Sequence, residues 1–219
     1  MSRWNLAIVL ALCVALGGAH AQAQSPEGHH HTFSEADKWA HVFDEPDRDE
    51  WQKPQEIFQE LDLKPDARVA DLGAGTGYFT VRLARVLPKG KVYAVDVEPA
   101  MVDYVKARAK REGLDNVVGV VAAPDDPRLP EKVDLILLVD VYHHLDDRVR
   151  YFRALRDSLR PGGRIAVIDF RLDAPYGPPR EARVGPEATV AEMSAAGYVV
   201  AAEHAFLPRQ YFQIFKPAP

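Results

Sequence analysis

From Arg68 to Phe170 the chain alternates between short apolar runs and stretches with helical spacing, and this constrains its fold more than any other feature. Apolar runs at 68–71, 91–96, 116–122, 133–141 and 164–170 read as strands. Segments 78–87, 99–112 and 147–159 between them read as helices. Repeated strand–helix units imply a parallel sheet with helices on both faces. The run 133–141 is almost wholly apolar, as a central strand covered on both sides must be. In the first core helix, Phe79, Leu83 and Val86 form the buried side; in the second, Met101, Val102 and Val105 do.

The flanks complete the plan. A helix begins at Ser34, with Ser34 as N-cap and Trp39, Val42 and Phe43 at helical spacing. A second, 54–61, carries Ile57, Phe58 and Leu61 on one face. After a Pro/Gly-rich connection at 173–186, a helix at 187–196 ends at Gly197. Two closing strands, 198–203 and 210–215, turn around Leu207-Pro208 and predict an antiparallel edge. No internal repeat and no second domain is evident.

The first residues follow a different logic. Arg3 precedes an apolar run from Leu6 to Leu16, then Gly17-Gly18 and Ala19-His20-Ala21-Gln22-Ala23. Basic start, short apolar stretch and small-residue cleavage site form the pattern of a secretory signal peptide over 1–23. The run is shorter than the roughly 20 residues needed to span a bilayer, so no stable membrane insertion is expected after cleavage. Residues 24–33, with His29-His30-His31, read as a flexible lead-in, and the domain proper as 34–219. Export predicts a periplasmic or secreted location, or a cytoplasmic one if the signal is inefficient. Cys13, the only cysteine, lies inside the leader, which excludes disulfides and thiol chemistry from the processed chain. The net charge of −5, with no dense basic stripe, argues against a nucleic-acid partner.

The segment most informative about chemistry is Val69-Ala70-Asp71-Leu72-Gly73-Ala74-Gly75-Thr76-Gly77-Tyr78, between a strand and a helix. Glycines there permit a tight turn and close approach of a ligand to the backbone. Dinucleotide sites usually read G-x-G-x-x-G; this one reads G-x-G-x-G, with an acid two residues before the first glycine.

Asp71-Leu72-Gly73-Ala74-Gly75-Thr76-Gly77 resembles the donor-binding signature of class I S-adenosylmethionine-dependent methyltransferases. The resemblance runs in order from about Pro54 to Lys216: Tyr93–Glu98 matches the second motif, Asp125-Asp126 the acid after the third strand, Val133–Asp140 the fourth motif, and Leu159-Arg160-Pro161-Gly162-Gly163 the turn before the fifth strand. It implies a Rossmann-like α/β sheet, mostly parallel with an antiparallel edge strand and helices on both faces, and S-adenosylmethionine as cofactor. It further implies donor contacts at Gly73, Gly75 and Gly77, and Asp71 near the donor's amino group or tying down the loop. Asp96 would take the ribose hydroxyls, which suits a carboxylate facing a vicinal diol. Asp125 or Asp126 would lie near the adenine amino group, Met101 beside the ring or in the core, and Asp140 near the methionine end. An unpaired carboxylate ending an apolar strand is costly, so Asp140 needs a ligand or partner.

Two segments bear on reactivity. Arg48–Pro54 concentrates Arg, Trp, Gln and Lys before the core. By resemblance, 34–63 is a helical lid in which Gln52 or Arg48 meets the donor carboxylate; the alternative is a packing segment with Trp51 in the core. Tyr142-His143-His144 follows the fourth strand, where functional groups of open parallel sheets gather. His143 and His144 are the candidate general bases, and no metal site is expected. The reading is methyl transfer to a small-molecule acceptor. The alternatives are a non-catalytic donor-binding protein of the same fold acting as a sensor or interaction domain, and a nicotinamide oxidoreductase, against which the G-x-G-x-G spacing counts. The acceptor and the oligomeric state stay open.

Overall fold

The computed structural model describes residues 36–219. The leader, the His29–His31 lead-in and the Ser34 cap lie outside the described residues. Three N-terminal helices, α1 (Ala36–Phe43), α2 (Arg48–Gln52) and α3 (Pro54–Leu61), lead into an alternating core. The core runs β1 (Arg68–Leu72), α4 (Tyr78–Val86), β2 (Lys91–Asp96), α5 (Pro99–Arg111), β3 (Val117–Val121), β4 (Val133–Val139), α6 (Arg148–Leu155) and β5 (Leu159–Phe170). It closes with α7 (Pro186–Ala195), β6 (Tyr198–His204) and β7 (Gln210–Pro217).

The seven strands form one sheet in the order β3-β2-β1-β4-β5-β7-β6. The pairings from β3 to β5 are parallel, and β7 runs antiparallel to both β5 and β6. The reversed strand is therefore one place in from the edge, with β6 outside it.

Period-two alternation of the strands sorts side chains to two faces. Ala70, Leu72, Ile136, Leu138, Ile165 and Val167 pack with Phe152 and Leu155 of α6 and Met193 of α7. Val69, Leu135, Leu137, Ala166 and Ile168 pack on the other face with Ile57 and Leu61 of α3 and Phe79 and Leu83 of α4. α5 lies on that second face, where Val105 meets Ala94. The central strand β4 is fully covered from Leu135 to Leu138.

Three details depart from the sequence expectations. Val86, placed on the buried side of its helix, is 42% exposed, because the buried stripe runs through Phe79, Leu83 and Leu87 and leaves Val86 beside it. β5 starts at Leu159 rather than Arg164: Leu159 pairs with Val133, and the register shifts between Val133 and Leu135 to admit the Pro161–Gly163 turn within the strand. The helix expected over 147–159 stops at Leu155 and continues as a 3-10 turn, Arg156–Ser158.

Candidate donor and acceptor site

The carboxyl ends of β1, β2, β4 and β5 and the start of β7 meet along one edge of the sheet, and every polar residue that ends these strands points to the same problem. Each is an acid or amide at the end of an apolar strand and must be partnered or served by a ligand.

The glycine loop follows β1. Gly73, Gly75 and Gly77 take φ of +74°, +53° and +84°, conformations that L side chains rarely adopt. A Cβ on Gly73 would lie 2.3 Å from a methyl of Val141. The N–H groups of Gly73 and Ala74 both donate to Val95 O, at 2.8 and 3.0 Å, which folds the loop over the end of β2.

Asp96 completes this fastening. Gly75 N–H donates to its Oδ2 at 2.9 Å and Glu98 N–H to its Oδ1 at 3.0 Å. Burial raises its pKa against the pull of these backbone donors. The loop-tying contact conceived for Asp71 is thus made by Asp96. Asp71 itself is buried and accepts from Thr80 Oγ1 at 2.5 Å, and desolvation pushes its carboxyl up to about 6. It also senses the charges of Arg48 and Asp96, so the three share one electrostatic environment.

Asp140 ends β4 in a left-handed conformation, φ +59°, an uncommon state for a residue other than glycine that marks an over-determined position. Its Oδ1 accepts from Gln210 Nε2 at 2.5 Å, Gln52 Nε2 donates to Gln210 Oε1 at 2.5 Å, and Arg48 donates to Gln52 Oε1 through Nε and Nη2 at 3.2 and 3.1 Å. The circuit closes where Arg48 Nη2 stands 3.9 Å from Asp140 Oδ2. Desolvation, then the neighbouring Asp169 charge, push Asp140 up to about 7, against the opposing pull of Arg48. Gln52, a candidate for the donor carboxylate, is wholly buried and engaged in this circuit.

Further contacts fix the N-terminal helices. Asp44 accepts from Thr76 Oγ1 at 3.0 Å and pairs with Arg108 at 2.9 Å. Asp49 accepts from Tyr78 and from Arg82. The Tyr78 ring lies between the guanidiniums of Arg48 and Arg82, at 4.0 and 3.8 Å. Phe43 sits directly over Gly75, 3.4 Å from where a Cβ would be. α1 and α2 are therefore seated on the glycine loop, and Trp51 is half-buried between Phe170 and Arg209.

The two histidines occupy a 3-10 turn, Tyr142–His144. His143 Nδ1 lies 2.9 Å from both carboxylate oxygens of Asp169, and its backbone N–H donates to the same group at 3.1 Å. The two side chains are only 5% and 1% exposed. Burial alone would lower the His143 pKa, but the hydrogen bond and charge of Asp169, helped by Asp140, prevail and raise it. His144 is exposed, its ring 4.0 Å from that of His143. Asp169 and Gln210 were missed in the sequence. Asp169 carried the signal that singled out Asp140, an acid closing an apolar strand; Gln210 carried none.

The remaining candidates make other contacts. Asp125 is exposed and pairs with Arg150 at 3.3 Å, while Asp126 accepts from Arg128 N–H at 2.8 Å, the geometry of a local turn. The Met101 side chain is buried.

Comparison with known proteins agrees with this geometry. A methyltransferase domain model matches residues 69–163. The protein-L-isoaspartate O-methyltransferase of Aeropyrum pernix is 32% identical over 115 residues, 51% of this chain and 42% of that one. A ubiquinone/menaquinone biosynthesis C-methyltransferase of Vibrio vulnificus is 30% identical over 110 residues, 49% of this chain and 42% of that one. The chain thus spans less than half the length of these curated relatives. A SAM-dependent methyltransferase from Aquifex aeolicus superposes with a TM-score of 0.77 and 26% identity, over 85% of this chain and 98% of that one. Strand order, the order of motifs along the chain and the matched domain give the protein the Rossmann-like methyltransferase fold, with residues 69–163 similar to a methyltransferase domain.

Proposed function

We propose that the protein transfers a methyl group from S-adenosylmethionine to a small-molecule acceptor. The observation that carries this reading is the grouping of Asp96, Asp140 and Arg48 around a glycine loop in left-handed conformation. Two acids and one guanidinium suit a ligand with a ribose diol, an ammonium and a carboxylate. When bound, that group supplies an electrophilic methyl on a sulfonium whose leaving group is neutral. Asp96 keeps free lone pairs beyond its two backbone bonds for the diol. Asp140 accepts from the ammonium, and Arg48 pairs with the carboxylate.

His143 is the candidate base on the acceptor side. The Asp169 contact favours the tautomer with the proton on Nδ1, which leaves Nε2 to take a proton from an oxygen or nitrogen nucleophile. Asp169 then balances the imidazolium that forms. Positioning of nucleophile and methyl in line is the larger part of the rate. The test is release of S-adenosylhomocysteine during turnover with a panel of small phenols, amines and acids. His143→Gln should lower turnover by about 10²–10⁴ with unchanged donor affinity. Turnover that survives His143→Gln at full rate would remove the base.

The leader pattern of residues 1–23 supports a further proposal, that the chain is exported before it acts. Fractionation of cells expressing the full chain, with mass analysis of its N-terminus, should find cleavage after Ala21 or Ala23. An intact N-terminus in the cytoplasm would refute export.

A further inference from the structure

Beside the donor cluster, on the rim formed by the end of β5, the start of β7 and α2, lies a second group of residues that nothing above employs. The Arg209 guanidinium stands 4.7 Å from the ring centroid of Trp51 and 5.0 Å from that of Tyr176. It has no carboxylate partner among the described residues. Trp51 also stacks obliquely on Phe170, centroids 6.3 Å apart, and its indole N–H is buried with no acceptor. Tyr176 is 66% exposed, in the loop that follows β5.

Such an arrangement is unusual on an acidic protein. Most arginines around it have carboxylate or carbonyl partners: Arg171 holds Asp173 and the carbonyls of Leu207 and Pro208, and Arg183 holds four backbone carbonyls. Arg209 alone on this rim presents its donors unspent, one residue before Gln210, which reaches into the donor cluster. A cation without a carboxylate partner among the described residues, beside half-buried Trp51 and the exposed ring of Tyr176, defines a complementary ligand: planar, with an anionic group at one end.

We propose that Arg209, Trp51 and Tyr176 form the acceptor-recognition subsite, and that it takes a small planar aromatic anion, its carboxylate bound by the guanidinium and its ring laid against the exposed Tyr176. The proposal rests on the methyltransferase reading above for the meaning of "acceptor", although the binding chemistry stands by itself. The guanidinium already stands against both rings, at 4.7 and 5.0 Å from their centroids, which orients its fork before the ligand arrives.

The test uses the full chain and paired probes of the same shape, hydroxybenzoates and the corresponding hydroxybenzamides, titrated by calorimetry with and without S-adenosylhomocysteine. At least one acid should bind about tenfold or more tightly than its amide, the discrimination expected of a charge-assisted pair. Arg209→Gln should abolish that preference and leave S-adenosylhomocysteine affinity within about twofold. Tyr176→Ala, at an exposed site where folding is not at risk, should weaken acid and amide alike by about three- to tenfold. Equal binding of acid and amide overturns the proposal, as does no binding of either to protein that binds S-adenosylhomocysteine. A loss of S-adenosylhomocysteine affinity in Arg209→Gln would assign the arginine to the donor instead. Acid preference in a protein that fails to bind S-adenosylhomocysteine keeps the subsite and refutes the methyltransferase reading.

Discussion

Replacing Asp169 by Asn isolates the element of the site that links structure to proton chemistry. The carboxylate holds His143 through Nδ1 at 2.9 Å, and both side chains are nearly excluded from water. A hydrogen bond between charged groups is worth about 1.5–3 kcal/mol, and about 1.4 kcal/mol corresponds to one pH unit of titration. In Asp169→Asn the burial that opposes protonation is countered by the Asp140 charge alone, so the His143 midpoint should fall by about one to two pH units. The measurement is a histidine-resolved NMR titration, which needs no substrate. The stability consequence has a defined sign. A raised histidine pKa contributes stability that is fully present below the unfolded value of about 6.5 and is lost as pH rises through the folded midpoint. The melting-temperature gap between wild type and variant should therefore be widest near pH 6 and narrow at higher pH. Because Asp169 also accepts the backbone N–H groups of His143 and Phe170, a pH-independent part of the gap should remain. A His143 midpoint that does not move, or that rises, would refute the dyad.

Three further outcomes follow from the donor side. Asp96→Ala should weaken S-adenosylhomocysteine binding by about 10- to 100-fold in calorimetry, with the loop also loosened because Gly75 loses its acceptor. Gly73→Ala places a Cβ 2.3 Å from Val141 at a φ of +74°, and should cost about 1–3 kcal/mol in denaturant unfolding while impairing donor binding. Asp140, pushed up to about 7, should make donor affinity rise with pH through that region as the carboxylate forms, and Asp140→Asn should flatten the profile.

Much of the fold was legible because its signals are local and repeated. Strands β1, β2 and β4 follow from apolar runs closed by acids, and the G-x-G-x-G turn from glycines that the structure places at positive φ. What escaped is of two kinds. Val86 and the start of β5 depend on which stripe of α4 faces the core, Leu83 with Leu87 rather than Val86, and on a register shift against Val133. α2 is only five residues long, too short for periodicity to show. In the site, Asp96 and Asp140 were accessible from strand position, and Asp169 was accessible by the same argument. The circuit Arg48–Gln52–Gln210–Asp140 was not, since Gln52 and Gln210 are 158 residues apart and only the insertion of β7 beside β5 brings them together. Asp125 and Asp126, singled out by motif order, meet Arg150 and the backbone of a local turn in the structure.

The central claim, that the glycine loop and its acids form a sulfonium-donor site, is tested most directly by calorimetry of the full chain with S-adenosylmethionine, S-adenosylhomocysteine and the nicotinamide dinucleotides. The account predicts one site for the first two, weakened by Asp96→Ala, and no binding of NAD or NADP. Binding of a nicotinamide dinucleotide with none of either sulfur compound would contradict it.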